Sequence, residues 1–215
     1  MKKIFTILAL VFVGNSFAQT QVEQGNFIID VYGGIPNWAN SLLYNQYDGT
    51  NTSVSNYKVN GSMLSYGGRF EYLLADNFGV GVDANYEVSG FNYDYLNSVY
   101  DETSGNYYDV PYNYDYRAKK LRVMARLNYH FVQNDRLDVY AGFAGGYKNV
   151  SREAYELNKA TNIRTDASNL PKALIPVSMR LAIGTRIYFT DNIGAMVELG
   201  AFGGGLVQFG LSAKF

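Results

Sequence analysis

The chain has 215 residues, a formal net charge of −1 and no cysteine. That length suits one domain, the near balance of charge gives no reason to expect nucleic acid, and the missing cysteine excludes a disulfide framework or a lipid-modified thiol. With 20 Tyr and 22 Gly against 4 Pro, the composition favours strands and tight turns over helices.

The N-terminus carries Lys2 and Lys3, an apolar run from Ile4 to Val13, and the small residues Ser16 and Ala18. This order predicts a secretory signal over residues 1–18, cut after Ala18, with residues 19–215 as the exported domain. The apolar run is too short for a spanning helix, which needs roughly 20 residues. No later segment reads as a membrane helix either, whereas a barrel strand buries only alternate residues in lipid and gives a weak hydropathy signal.

Eight segments then alternate. Asn26 to Ile35 sets Phe27, Ile29, Val31 and Ile35 against Asp30 and Tyr32. Met63 to Leu74 opposes Leu64, Tyr66, Phe70, Tyr72 and Leu74 to Ser65, Arg69 and Glu71. Phe78 to Ser89 opposes a row of Val80, Val82, Ala84, Tyr86 and Val88 to Asp83, Asn85 and Glu87. The clearest segment, Lys120 to Phe131, places Leu121, Val123, Ala125, Leu127, Tyr129 and Phe131 opposite Arg122, Met124, Arg126, Asn128 and His130. Leu137 to Lys148 sets Val139, Ala141, Phe143 and Tyr147 against Asp138, Tyr140 and Lys148. Ile175 to Phe189 carries Ser178, Arg180 and Arg186 on its polar face, Ile193 to Phe202 carries Met196, Glu198 and Phe202, and Leu206 to Phe215 carries Gln208, Ser212 and Lys214. Successive strand side chains point to opposite faces, so each segment is a ribbon with one apolar and one polar side.

The connections alternate as well. Ala75-Asp76-Asn77, Val132 to Arg136 and Thr190-Asp191-Asn192 are short and rich in Asp and Asn. Pro36 to Ser62, Gly90 to Lys119 and Asn149 to Leu174 are long, and Gly203-Gly204-Gly205 is brief. Apolar faces toward lipid, short periplasmic turns and longer extracellular loops describe an all-β, eight-stranded antiparallel up-and-down transmembrane β-barrel. Together with the terminal aromatic Phe215 and the opening Gly25-Asn26-Phe27-Ile28-Ile29-Asp30, the chain resembles the small OmpA/OmpX-like outer-membrane β-barrel domain family, in its Bacteroidota form. The resemblance implies a Gram-negative outer membrane and carries no catalytic motif. The peptidoglycan-binding role of longer OmpA-type proteins is not carried over.

The inward face holds Arg69, Arg122, Arg126, Arg180, Arg186, Lys148 and Lys214 against Asp30, Glu71, Asp83, Glu87, Asp138 and Glu198. An eight-stranded barrel is just wide enough for its own side chains, so these charges predict a paired plug rather than an open pore. A narrow passive channel for small solutes is the alternative, and service as an accessory subunit of a larger envelope complex is another. Between Phe91 and Tyr116, the loop carries Tyr93, Tyr95, Tyr100, Tyr107, Tyr108, Tyr112, Tyr114 and Tyr116. Alternation at both of its ends predicts that the third and fourth strands run on as a projecting hairpin. Such tyrosines suit cross-strand packing and the membrane interface, and they also suit protein or glycan recognition. Trp38, Tyr44 and Tyr47 are expected on the same outer surface or in the aromatic belt, and the third loop, with Arg152, Glu153, Glu156 and Lys159, as an ordinary solvated loop. The acids lack the spacing of a calcium loop, and the single histidine, His130, has no serine near it in sequence. No Gly-x-Ser-x-Gly or phosphate loop occurs. The reading is a non-catalytic protein without cofactor or metal, partnered by outer-membrane lipid, as a monomer or a subunit of an envelope complex.

Overall fold

The structure, a computed structural model, describes residues 22–35, 54–134, 136–166 and 175–215. The expected signal segment and the first-loop aromatics Trp38, Tyr44 and Tyr47 lie outside the described residues. Among the described residues nine strands follow in order: β1 (Phe27–Ile35), β2 (Val54–Ala75), β3 (Phe78–Asp101), β4 (Asn106–Gln133), β5 (Leu137–Asn158), β6 (Ile163–Asp166), β7 (Val177–Tyr188), β8 (Ile193–Ala201) and β9 (Val207–Lys214). All but the short β6 form an antiparallel ring in which each strand pairs with its sequence neighbour, β5 with β7, and β9 with β1. The closing ladder runs from Ile28 opposite Lys214 to Ile35 opposite Val207, and Phe27 and Phe215 exchange both backbone bonds beyond it. The ring therefore has no edge, which is what a backbone in hydrocarbon requires.

The alternation read from the sequence sets the faces. In β1 the side chains of Phe27, Ile29 and Val31 are exposed, while Ile28, Asp30 and Tyr32 are buried. Phe202 departs from its expected inward place. β8 ends at Ala201, and Phe202 takes a positive φ of 64° that turns its ring out and its carbonyl in, where Arg180 donates to it. The short turns are built by their polar residues: the Asn134 side chain accepts from the backbone N–H groups of Arg136 and Leu137, and the Thr190 hydroxyl accepts from that of Ile193.

At the long-loop end the ring grows into a sheet. β3 and β4 pair without a break from Phe78 opposite Tyr129 to Asp101 opposite Asn106, so the projecting hairpin is present. The strands reach further than the spacing indicated: β2 begins at Val54, and residues 149–158, read as solvated loop, continue β5 and bond to both β4 and β6. Their side chains alternate too, but with polar residues on both faces, so hydrophobic periodicity does not mark them.

The β5–β6 turn is tied back to β3 through Asp94, whose carboxylate accepts from the Lys159 ammonium at 2.7 Å and from the Asn56 and Asn113 amides at 2.8 Å each. Partial burial opposes ionisation of this carboxyl, but the lysine and the two amides outweigh it and hold the group down at about 2. The tie is thus at full strength above the usual aspartate value of about 4. It is lost as the pH falls through about 2. Amide exchange around Lys159 to Asn162 is expected to quicken over that window while the ring strands stay protected; unchanged exchange would show that Asp94 does not hold the turn.

Candidate functional site

All eight ring strands aim ionisable or amide side chains into the lumen. Asp30 on β1, Arg69 and Glu71 on β2, Asp83 on β3, Arg126 on β4, Asp138 on β5, Arg180 and Arg186 on β7, Glu198 on β8 and Gln208 on β9 are all buried. Glu198 receives Arg69 at 3.0 Å, Arg180 at 2.8 Å and Arg126, and accepts from the Tyr140 hydroxyl at 3.0 Å. Asp83 bridges Arg69 and Arg126 at 3.1 and 3.3 Å and accepts from the Tyr32 hydroxyl. Toward the short-turn end, Arg186 contacts Asp30, Glu71 and Asp138 at 2.9, 2.7 and 2.8 Å. The aromatic rings complete the packing, with the Arg186 guanidinium 4.4 Å from the Tyr140 ring centre.

His130 lies in this cluster, buried, with one ring nitrogen 2.6 Å from Asp138 and the other 2.8 Å from Glu71. A protonated ring donates on both sides and satisfies both carboxylates. Near the long-loop end Glu87 takes Arg122 at 2.7 Å and Lys120 at 3.1 Å. Lys214 lies over the Tyr188 ring, and Lys148 is half-buried at the rim opposite Arg122. The inward histidine, the tyrosines Tyr32 and Tyr140, and Lys120 belong to the network although their residue types alone did not single them out; their parity on the strands is the signal that finds them.

Chain packs into both ends of the lumen. Val22 packs on Ile28, Leu73 and Tyr188 at the short-turn end. At the other end the turn from β8 to β9 folds inward. Arg180 donates to the carbonyls of Phe202 and Gly205, the Asn85 amide of β3 donates to that of Gly203, and the Gly205 N–H donates to the Ser65 hydroxyl of β2. Gly204 has a φ of 148°, which a side chain rarely adopts, and this lets the backbone cross the mouth.

Above the mouth the polarity of the two faces exchanges. Going outward on β3, the lipid-side row of Val82, Ala84, Tyr86 and Val88 gives way to Gly90, Asn92 and Asp94, while the lumen-side row of Asp83, Asn85 and Glu87 gives way to Phe91, Tyr93 and Tyr95. β4 does the same: Leu121 is followed by Lys119 and Arg117 outside, and Lys120 by Tyr116, Tyr114 and Tyr112 inside. The unbroken register carries each face straight through, so the change lies in the solvent, not in the fold. The inner tyrosines form a ladder, with ring centres 5.3 Å apart for Phe91 and Tyr116, 5.4 Å for Tyr93 and Tyr114, and 5.5 Å for Tyr95 and Tyr112. Burial and the Glu156 carboxylate push the Tyr95 phenol up to about 12, so it stays a hydrogen-bond donor. Tyr108 shares this inner face by register, whereas Tyr100 and Tyr107 pair across the opposite face near the tip and are exposed.

Among solved structures the chain is similar to the N-terminal β-barrel domain of OprF from Pseudomonas aeruginosa, at 14% identity and a TM-score of 0.42 over 90% of this chain and 99% of that one. It is similar to OprG from the same organism at 12% identity and a TM-score of 0.47, covering 90% and 97%. The attachment invasion locus protein Ail of Yersinia pestis matches at 12% identity and a TM-score of 0.38, covering 89% and 99%. No curated protein matches the chain. A family model described as outer membrane protein beta-barrel domain matches residues 17–211. A closed ring with an apolar outer band and a match over nearly its whole length make this chain a member of the outer membrane protein beta-barrel domain family, seated in the lipid of a Gram-negative outer membrane.

Proposed function

We propose that this barrel is a closed, non-catalytic platform whose extracellular sheet recognises a surface ligand through its tyrosine-rich face, after removal of residues 1–18 on export. The observation that carries the reading is the exchange of polarity above the mouth. A sheet that only anchored itself in the membrane would turn its aromatics outward to the lipid headgroups. Here the row from Phe91 to Tyr95 and its partners from Tyr112 to Tyr116 instead face the side continuous with the lumen. Tyrosine offers a large, stiff apolar body with a polar tip, which suits recognition at little entropic cost. Closure is supported by the buried ion pairs and by the chain segments across each end. A non-catalytic role is supported by His130, whose two ring nitrogens are both engaged by carboxylates rather than by a nucleophile.

The mature protein extracted from membranes is expected to begin at Gln19, read from its intact mass; a chain retaining residues 1–18 would remove the export signal from the proposal. For the lumen, Glu198→Ala removes the carboxylate that pairs with Arg180 and takes one of the carboxylates from Arg69 and Arg126, which keep Asp83; breaking such a buried pair costs about 3–5 kcal/mol. The unfolding midpoint in lipid vesicles is expected to drop accordingly, and wild-type protein in planar bilayers is expected to be silent. Steady ion current from the native protein, or an unchanged midpoint in the variant, would contradict the plug. Recognition itself is tested with Tyr93→Ser combined with Tyr114→Ser, in cells displaying equal amounts of folded protein. Arrays of glycans and surface proteins are expected to show at least one ligand held by wild type and lost by the double variant; identical binding profiles would dismiss the tyrosine face.

A further inference from the structure

Beyond Tyr95 and Tyr112 the extracellular sheet narrows to a two-stranded ribbon. β2 begins with Val54 opposite Tyr95, and β5 ends with Asn158 opposite Tyr112. From Leu96 to Pro111, therefore, β3 and β4 pair only with each other among the described residues. At roughly 3.3 Å per residue, the stretch from Val88 to Tyr100 measures about 40 Å along the strand, which carries the tip clear of the lipid headgroups. On the face opposite the tyrosine ladder three tiers follow one another: Leu96 with Pro111, Ser98 with Asp109, and Tyr100 with Tyr107. The Ser98 hydroxyl donates to the Asp109 carboxylate at 2.5 Å, and the two tyrosine rings lie 5.1 Å apart. Tyr107, 73% exposed, is the most exposed large apolar side chain among the described residues, more so than those that face lipid. No hydrocarbon surrounds it at that height. Apolar surface shown to water at the end of a projecting ribbon marks a contact face.

Charge selects what fits this face. From Leu96 to Pro111 the chain carries Asp101, Glu102 and Asp109 and no Lys, Arg or His. The Ser104 hydroxyl and the Thr103 N–H both bond to Asp101 and hold it below the usual carboxylate range. Lys159, whose backbone N–H bonds to the Pro111 carbonyl, turns its ammonium to Asp94 instead. Arg117, Lys119 and Arg164 are paired with Asp115, Glu153 and Asp166. By sequence, the connections 36–53 and 167–174 bring one acid, Asp48, and one base, Lys172, which cancel. The tip is thus an aromatic face in a negative field. We propose that it docks a basic segment of a partner protein, with an arginine or lysine side chain lying across Tyr100 and Tyr107 and its charge at Asp109. The ring faces attract a cation, its aliphatic stem covers apolar surface, and the carboxylate accepts a charge-assisted hydrogen bond. The same field repels anionic headgroups, acidic sugars and a second acidic tip. A segment laid on the ribbon also supplies packing that two strands alone lack. Because the face is the reverse of the tyrosine ladder, this inference goes beyond the reading above and does not rest on it.

The test uses the full-length mature protein in phosphatidylcholine nanodiscs, with empty nanodiscs as the blank. The probes are a short alternating arginine–serine peptide and its citrulline–serine counterpart, which keeps the shape and loses the charge. The arginine peptide is expected to bind about tenfold more tightly, with the advantage shrinking as salt is raised. It is also expected to slow amide exchange between Leu96 and Pro111. Asp109→Asn, which keeps an acceptor for Ser98, is expected to remove most of the advantage, and Tyr107→Ser to weaken the arginine peptide. Tyr93→Ser with Tyr114→Ser is expected to leave its affinity unchanged, which separates the two faces. Equal affinity for the two peptides, or binding of neither, overturns the basic preference. Unaltered affinity in both Asp109→Asn and Tyr107→Ser, or loss of the peptide in the ladder variant, overturns the placement. Dimerisation on sedimentation, or capture of phosphatidylserine vesicles, that disappears in Tyr107→Ser would give the face to a second copy or to a membrane and overturn the choice of a protein partner.

Discussion

A backbone surrounded by hydrocarbon has no water to bond with, so every N–H and C=O of the ring must find its partner on a neighbouring strand. The β9–β1 ladder is where that requirement is met last, by joining the two ends of the chain's ring. Closure with eight strands then fixes the diameter, and the diameter leaves little space inside beyond the side chains themselves. Charged residues aimed into such a space cannot rely on bulk water. They must meet one another, and an ion left alone there would cost several kcal/mol. Glu198 with Arg69, Arg126 and Arg180, and Arg186 with Asp30, Glu71 and Asp138, are the outcome of that geometry. The pairs are weak evidence of net stability, because desolvation offsets much of their attraction. What they do supply is register: the two members of each pair stand on different strands, so a slip of one strand would part them.

Volume is matched as carefully as charge. Tyr140 spans the lumen with its hydroxyl between Arg69 and Glu198, and the wall beside its ring is Gly184, where a Cβ would meet the phenol oxygen at 2.5 Å. A large inward side chain on one strand is thus accommodated by a missing one on the next, the alternation of large and small that fills narrow barrels. The inward-folded glycine turn and the Val22 cluster add packing at the two ends, so that charge pairing and side-chain volume act on the same space.

Much of this could be read from the chain. Period-two patterning located the ring strands, and parity along them told which charges point inward, Asp30 and Glu198 among them. Partner choice could not be read, because it depends on strand stagger around the ring: Arg186 meets Asp30 across a sequence separation of 156 residues. Phe202 was assigned by parity and escaped it, since one residue of positive φ ends the strand and resets which way the next side chain points. The continuation of β5 through Arg152 and Glu153 was hidden for a different reason. Periodicity reports a difference in polarity between two faces, and a strand wetted on both sides has little to report.

That last failure explains the most informative feature of the extracellular sheet. On β3 and β4 the alternation does not end where the membrane ends; it changes sign. Side chains that pointed at lipid now point at water and become Asn92, Asp94, Arg117 and Lys119, while those on the lumen side become rings. A sheet leaving the bilayer loses its apolar solvent on the outside and must find apolar contact elsewhere. Stacking the rings on the inner face meets that need, each close aromatic pair adding about 0.5–1.5 kcal/mol beyond simple burial. The position of the sign change, between Val88 and Asn92 on one strand and between Leu121 and Arg117 on the other, is therefore a physical mark of the outer boundary of the hydrocarbon. It sets the cations of the rim just beneath an aromatic wall, inside the sheet and clear of the lipid.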